Sequence, residues 1–195
     1  TRHKTPILLS FYALCSGATT LVFGQLTYTT LTDFSFRDYT RRKTFRTLFS
    51  LYQTKPYANQ QLKLLFGKGE LLTESDNHGS FYFKTQTVPG GATLQKVVLS
   101  DGEEVRLIDG LYPQHVHAIK TGVIIVSDID DTLLHSHIYK KILKFRTLMF
   151  TTVEKRRAVS NMQELLQNFS DSGAACFYLS NSEQNLYPLI YRFML

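Results

Sequence analysis

The sequence predicts an α/β domain with a parallel sheet at residues 121–195, preceded by an all-β sandwich-like domain at residues 1–120. A short β-branched run at 123–126 is typical of a strand buried on both faces of a parallel sheet. Apolar residues at helical spacing follow this run and lead to a second apolar run at 174–179. About seven strand-like runs with regular turn signals come before it, which favours a β-sandwich.

The predicted sandwich-like domain opens with a hairpin. Strand-like runs at 7–14 and 20–28 flank a turn at Ser16-Gly17. A basic helix at 37–52 is predicted after the hairpin, because its apolar residues fall at helical spacing. Further strands are predicted at 62–66, 79–86, 94–99, 105–111 and 116–119.

The predicted α/β domain consists of a strand, two helical segments and a second strand. Apolar residues at helical spacing predict the helices within 138–149 and 162–169, and Gly173 gives the second helix a favourable cap. The strand at 174–179 then ends at Ser180. A right-handed crossover would bring this strand end beside the end of the first strand.

Three carboxylates follow the first strand of this domain within four residues, namely Asp128, Asp130 and Asp131. Open α/β sheets bind ligands at the carboxyl ends of their strands, and clustered carboxylates repel one another unless a cation is near. A calcium loop of the EF-hand type is excluded, because Leu133 and Tyr139 occupy the positions that require glycine and glutamate. The cluster therefore predicts a phosphoryl-transfer site with a bound cation.

The first two carboxylates of this cluster divide the chemistry. Asp128, at the strand end, can attack phosphorus and form an aspartyl-phosphate. Asp130 can protonate the leaving oxygen and then activate water. We expect Mg²⁺ to be held by the oxygens of both residues, where it offsets the charge of the phosphate.

The second strand end supplies polar groups that suit a phosphate. The Ser180 hydroxyl and the backbone N–H groups after it can form a phosphate cradle, and Asn181 can add a donor. An ordinary helix cap is the alternative for this Ser-Asn pair.

The segments 127–132, 177–182 and 186–189 resemble the conserved pattern of the actin-patch-associated phosphatidate phosphatases, within the haloacid dehalogenase superfamily. The resemblance implies an α/β Rossmann-like fold of the haloacid dehalogenase type and Mg²⁺-dependent release of phosphate from phosphatidate. It assigns Asp128 as nucleophile, Asp130 as general acid and base, and Thr132 and Ser180 as phosphate-binding residues.

The superfamily carries two later motifs, a lysine that neutralises the phosphate and an acidic loop that completes the metal site. Only 15 residues follow Ser180, and Arg192 is the sole cation among them. We therefore expect the catalytic domain to be incomplete at its C-terminus and the chain to be a fragment of a longer protein, with weak or absent hydrolysis.

The net charge of +6 favours anionic partners. Basic residues alternate with large apolar residues in the segments 37–52 and 140–146, which is compatible with a peripheral contact with an anionic membrane. The alternative is that each segment packs on its own domain. The basic residues concerned are Arg41, Arg42, Lys43, Arg46, Lys140 and Lys141. Nucleic acid is not the expected partner, since no recognised binding motif accompanies the charge.

Cys15 and Cys176 lie far apart in apolar runs, which is typical of free thiols in a reducing compartment, so we expect a cytoplasmic protein. His135 and His137 follow the nucleophile closely and could line the substrate entrance.

Two other functions remain open: a non-enzymatic lipid- or protein-binding module, and a phosphatase for a soluble phosphate ester.

Overall fold

The computed structural model describes residues 5–29, 41–67, 69–120, 122–128, 160–180, 187–188 and 191. These residues fall into two compact units. The first contains residues 5–29 and 50–119, and the second contains residues 41–49, 122–128 and 160–180. The functional domains at 1–120 and 121–195 stay a prediction.

Eleven strands and two helices are present among the described residues. The strands are β1 Thr5–Ser16, β2 Thr19–Thr29, β3 Lys55–Pro56, β4 Gln61–Phe66, β5 Gly69–Glu74, β6 Ser80–Thr85, β7 Leu94–Leu99, β8 Glu104–Val105, β9 His117–Ala118, β10 Ile124–Asp128 and β11 Ala175–Leu179. The helices are α1 Arg41–Tyr52 and α2 Ser160–Asp171.

The first sheet is built on the hairpin of β1 and β2. These strands pair antiparallel from Thr5 and Thr29 to Ser16 and Thr19, so the predicted hairpin is confirmed. Strands β3 and β6 both pair antiparallel with β2. Strand β9 runs parallel to the end of β1.

The second sheet has the order β5-β4-β7-β8, and its neighbours are antiparallel. Leu62, Leu64 and Phe66 of β4 are buried at alternate positions, as expected for a strand with one face toward a core. The Phe66 ring lies 6.4 Å from the ring of Phe11 in β1, so side chains of the two sheets meet in this core. This arrangement fits the predicted β-sandwich.

Three strands differ from the prediction in this unit. β3 and β5 were not predicted, because β3 has only two residues and β5 is an edge strand in which most residues are exposed. The strand predicted at 105–111 is reduced to β8, which ends at Val105.

The second unit contains a two-stranded parallel sheet, formed by β10 and β11. The predicted glycine cap of α2 is confirmed. The Ala174 N–H donates to the Phe169 carbonyl at 3.0 Å, and the Gly173 N–H donates to the Ser170 carbonyl at 2.9 Å. Gly173 has a φ of 86°, the left-handed conformation that this type of helix end requires. The cap turns the chain directly from α2 into β11.

The expectation that the strand at 123–126 is buried on both faces is wrong. Ile124 is 53% exposed and Val126 is 58% exposed, and Leu179 at the end of β11 is 61% exposed. A β-branched run favours a strand, but its burial depends on whether other elements cover the sheet. Among the described residues, only one strand pairs with β10.

The predicted fold class, α/β Rossmann-like of the haloacid dehalogenase type, is also wrong. Such a fold needs several parallel strands with helices on both faces. The described residues instead form three sheets, and most of the strands are antiparallel. The two helices with described bounds have 12 residues each. The described part of the chain is therefore predominantly β.

The predicted basic helix corresponds to α1, which is described from Arg41 onward. Residues 37–40 and the helix predicted within 138–149 lie outside the described residues. No helix in the described part of the chain has the length and apolar character needed to cross a membrane.

Candidate phosphoryl-transfer site

The ends of two parallel strands form the candidate site. Strand β10 ends at Asp128, which is paired in register with Leu179, the last residue of β11. Ser180 follows Leu179 directly, so a carboxylate and a hydroxyl leave the same edge of the sheet on adjacent strands. Parallel strands with this register place their carboxyl ends together, as the sequence analysis expected.

Both side chains at this edge are exposed, so a ligand in solution can reach them. Asp128 and Ser180 belong to the exposed class, whereas the preceding Ser127 is half-buried. The Ser127 hydroxyl donates to the Asp128 carbonyl at 3.1 Å. This local bond occupies the hydroxyl of Ser127 and does not involve the carboxylate of Asp128.

Helix α2 supports β11 from one side. The Cys176 sulfur lies 3.9 Å from the carbonyl oxygen of Leu166, and the Leu166 side chain is buried with 6% exposure. Cys176 is paired with Ile125 of β10, so this contact lies three residue pairs from Asp128. The helix thus contacts the strand that carries Ser180 without covering the strand ends.

Several predicted site residues lie outside the described residues, so their roles stay predictions. They are Asp130, Thr132, Asn181, His135 and His137. Of the predicted catalytic and phosphate-binding residues, the structure thus describes Asp128 and Ser180, and it brings these two to one edge.

The donor chemistry of this edge suits Mg²⁺, which takes oxygen ligands and often uses one or two carboxylates together with substrate phosphate oxygens. Asp128 provides one exposed carboxylate, and Asp130 is the second predicted ligand. Within the described residues, no group of three or more His, Cys, Asp and Glu side chains could hold a metal ion.

Tyr178 is a further polar residue near the strand end that sequence analysis did not single out, although it lies inside the motif at 177–182. It is the register partner of Ser127 and is 40% exposed. Burial raises the pKa of its hydroxyl, and the neighbouring Cys176 raises this pKa further. Tyr178 therefore remains protonated at neutral pH and can donate a hydrogen bond.

Comparison with solved structures gives a likeness to a carbohydrate acetylesterase from Xanthomonas citri, with 11% sequence identity and a TM-score of 0.32. The likeness covers 91% of this chain but only 40% of that protein. A TM-score this low supports no inference about fold or function. No curated protein matches the sequence.

The family comparison concerns the part of the chain that contains both strand ends. Residues 123–195 match the family described as the catalytic domain of phosphatidate phosphatase APP1. The match begins one residue before β10 and includes Asp128 and Ser180. The resemblance to the actin-patch-associated phosphatidate phosphatases is therefore confirmed for residues 123–195 of this chain.

Proposed function

We propose that this protein is an Mg²⁺-dependent phosphohydrolase that releases phosphate from phosphatidate, with Asp128 as its nucleophile. One observation carries the proposal. In the segment that matches a phosphatidate phosphatase catalytic domain, one strand ends at Asp128, and Ser180 directly follows the end of the strand paired with it. An acid and a hydroxyl at adjacent strand ends can hold and attack one phosphoryl group.

The first step is attack of an Asp128 carboxylate oxygen on phosphorus. This bond forms as the phosphorus–oxygen bond to the glycerol oxygen breaks, and the Asp130 carboxyl group transfers its proton to the departing oxygen. The products of this step are diacylglycerol and an aspartyl-phosphate.

The second step returns the enzyme to its initial state. The Asp130 carboxylate takes a proton from water, whose oxygen bonds to phosphorus while the bond to Asp128 breaks. Inorganic phosphate leaves, Asp128 is again a carboxylate, and Asp130 is again protonated. Bound Mg²⁺ would offset the negative charge that otherwise keeps an anionic phosphate away from an anionic nucleophile.

Ser180 would hold the phosphate during both steps by hydrogen bonds from its hydroxyl and from nearby backbone N–H groups, with Thr132 and Asn181 as further donors. Its exposure at the strand end is compatible with this role.

The protein would work in the cytoplasm and contact anionic membranes through basic residues. These are Arg41, Arg42, Lys43, Arg46, Lys140 and Lys141.

Replacement of the nucleophile tests the proposal. In the full-length protein, Asp128→Asn should lower Mg²⁺-dependent phosphate release from phosphatidate by about 10⁴-fold or more, because the amide is a poor nucleophile. The matched control is Asp171→Asn, an exposed carboxylate at the end of α2 that accepts a hydrogen bond from Gln167. This control should keep its turnover, and turnover retained by Asp128→Asn would refute the mechanism.

The same assay separates lipid from soluble substrates, since either could use this site. Phosphatidate in mixed micelles and glycerol 3-phosphate present the same phosphate monoester with and without acyl chains. The proposal predicts a clear preference for phosphatidate in kcat/KM. Equal or better turnover of glycerol 3-phosphate would instead indicate a phosphatase for soluble esters.

A further inference from the structure

Strand β5 forms an open edge of the second sheet. It pairs antiparallel with β4 in a continuous register without a bulge, and it is the last strand in the order β5-β4-β7-β8. In an antiparallel ladder alternate residues direct their backbone groups to the same neighbour, so about half of these groups in β5 point away from β4. Among the described residues, no hydrogen bond joins the β5 backbone to a strand other than β4. This edge can therefore accept a further strand.

The β5 edge lacks several features that usually prevent strand pairing. Proteins protect such edges with very short strands, proline, bulges or charges that point toward the core. The opposite edge of the sheet, β8, has only two residues and is protected by its length. β5 has six residues and no proline, and its half-buried positions carry the uncharged side chains of Leu71 and Thr73. It is thus long and regular enough to pair with an added strand.

The exposed face of β5 has an acid–apolar–acid pattern. Glu70, Leu72 and Glu74 are exposed and occupy alternate positions, so they share one face of the strand. Leu72 is 75% exposed, the highest value among the large apolar residues described as exposed. The strand contains no Lys or Arg. Charge complementarity therefore favours a partner whose cations lie opposite the two glutamates.

The two glutamates have different surroundings. The Nζ of Lys63 in β4 lies 3.3 Å from a Glu70 carboxylate oxygen, in an ion pair exposed to solvent. Glu74 forms no ion pair with any described residue. A cation on an added strand would share Glu70 with Lys63 but would not share Glu74. We therefore expect Glu74 to contribute more to the binding of a basic partner.

A second copy of this chain fits the edge less well than a basic segment does. If two β5 strands paired antiparallel with Leu72 opposite its own copy, Glu70 of one protomer would face Glu74 of the other. Like charges directly opposite each other destabilise a strand pair.

We propose that β5 binds an extended basic segment of another protein, which adds to the second sheet as an antiparallel strand. The segment carries one cation two residues before an apolar residue and a second cation two residues after it. Its cations lie opposite Glu70 and Glu74, its apolar side chain lies beside Leu72, and its backbone pairs with the open edge. This surface belongs to the sandwich unit and does not depend on the proposed phosphatase function.

The test is fluorescence anisotropy of a labelled peptide, Thr-Lys-Thr-Val-Thr-Lys-Thr, with the full-length protein at low ionic strength. The peptide should bind saturably at protein concentrations up to about 1 mM. A peptide with glutamate in place of both lysines should bind about tenfold more weakly, because it places like charges opposite each other. Absence of saturable binding, or equal binding of the two peptides, would overturn the proposal.

A second measurement separates strand pairing from charge attraction. Two versions of the peptide are N-methylated at alternate positions, so that one lacks the N–H groups that face β5 and the other lacks those that face solvent. One version should bind about tenfold more weakly than the parent peptide, and the other should stay within about threefold of it. Equal affinities of the two versions would contradict strand addition.

Substitutions in β5 test which side chains contact the peptide. Glu74→Gln should weaken the affinity about fivefold and Glu70→Gln about twofold, and Leu72→Thr should weaken it about fivefold. The matched control is Glu103→Gln, which removes the same charge from an exposed residue just before β8 and should leave the affinity unchanged. An equal loss in the control, or unchanged affinity of both Glu74→Gln and Leu72→Thr, would overturn the proposal.

Analytical ultracentrifugation of the protein alone tests the other occupant. The unmodified protein should not self-associate through β5, and a dimer that dissociates in Leu72→Thr would identify a second copy as the occupant and overturn the proposal. Unfolding midpoints of all variants should lie close to that of the unmodified protein, because every replaced side chain is exposed.

Discussion

Strand β1 in the sandwich unit and strand β10 in the second unit have similar apolar sequences but different surroundings. Ile7, Leu8 and Leu9 of β1 are consecutive residues with 0% exposure, whereas Ile124 and Val126 of β10 are more than half exposed. β1 pairs with β2 and β9, and its Phe11 ring contacts the opposite sheet. β10 pairs only with β11 among the described residues.

The comparison shows that an apolar run determines strand formation, while neighbouring layers determine burial. The described chemistry-bearing residues lie in the exposed strand pair, and the large core lies in the unit that carries no predicted catalytic residue. We therefore expect substitutions in the sandwich unit to change stability strongly and equivalent substitutions around β10 and β11 to change it little. Paired substitutions can test this difference.

The largest difference is expected for large-to-small substitutions. Phe11→Ala should lower the free energy of unfolding by about 3–5 kcal/mol, because Phe11 has 0% exposure and its ring lies near those of Phe66 and Tyr112. Val126→Ala should lower it by less than about 1 kcal/mol, since this side chain is 58% exposed. Urea unfolding followed by circular dichroism measures both, and equal losses would contradict the contrast.

A smaller difference is expected for added methyl groups. A Cβ on Gly24 would overlap the ring of Phe81, its partner on β6, so Gly24→Ala should destabilise the protein by about 1–3 kcal/mol. Gly122→Ala, just before β10, meets no atom within 4 Å and should be nearly neutral. In a double-mutant cycle, Gly24→Ala should lower the free energy of unfolding by less in a Phe81→Leu background than in the unmodified protein. Full additivity would show that the ring is not the obstacle.

The smallest difference concerns two tyrosine hydroxyls. Tyr112 is 3% exposed, and its hydroxyl accepts a hydrogen bond from the Ile108 N–H at 3.0 Å. Tyr112→Phe leaves that buried N–H without this acceptor and should lower the free energy of unfolding by about 1–2 kcal/mol at pH 8. Tyr178→Phe, at a residue that is 40% exposed, should lower it by less.

The Tyr112 effect should also depend on pH. Burial raises the pKa of Tyr112 above its usual value of about 10, despite the hydrogen bond from the backbone, which acts in the opposite direction. The unfolded chain therefore loses this proton first as the pH rises, so the stabilisation is complete below about pH 10 and declines above it. The stability gap between Tyr112→Phe and the unmodified protein should narrow above pH 10, and a constant gap would contradict this assignment.

Much of the sandwich unit was predictable because its strong strands alternate or carry long apolar runs. The hairpin of β1 and β2 and the buried strands β4 and β7 follow from such local patterns. In the second unit, helical spacing and Gly173 likewise predicted helix α2 and its cap. The edge strand β5 escaped prediction because its exposed positions carry no period-two signal. The prediction of the fold class was wrong because the fold class depends on how many strands pair in the sheet that contains β10. A single apolar run does not encode this number.

The candidate site was predictable as a pair of strand ends, since the polar residues that follow each strand appear in the sequence itself. The register of β10 with β11, which brings Ser180 beside Asp128, required the structure. Helical spacing placed Phe49 with the other apolar residues of the basic helix, whereas the structure leaves it half-exposed beside Arg46. Spacing alone does not tell how much of each helix face is buried.

Chemical trapping of the aspartyl-phosphate tests the central claim most directly. The full-length protein is mixed with phosphatidate and Mg²⁺, quenched during turnover, reduced with borohydride and digested for mass spectrometry. An acyl phosphate on Asp128 would be reduced to homoserine at that position, in a yield that follows the substrate concentration and disappears in Asp128→Asn. Phosphate release without any modification at position 128, or with the modification at another carboxylate, would contradict the account.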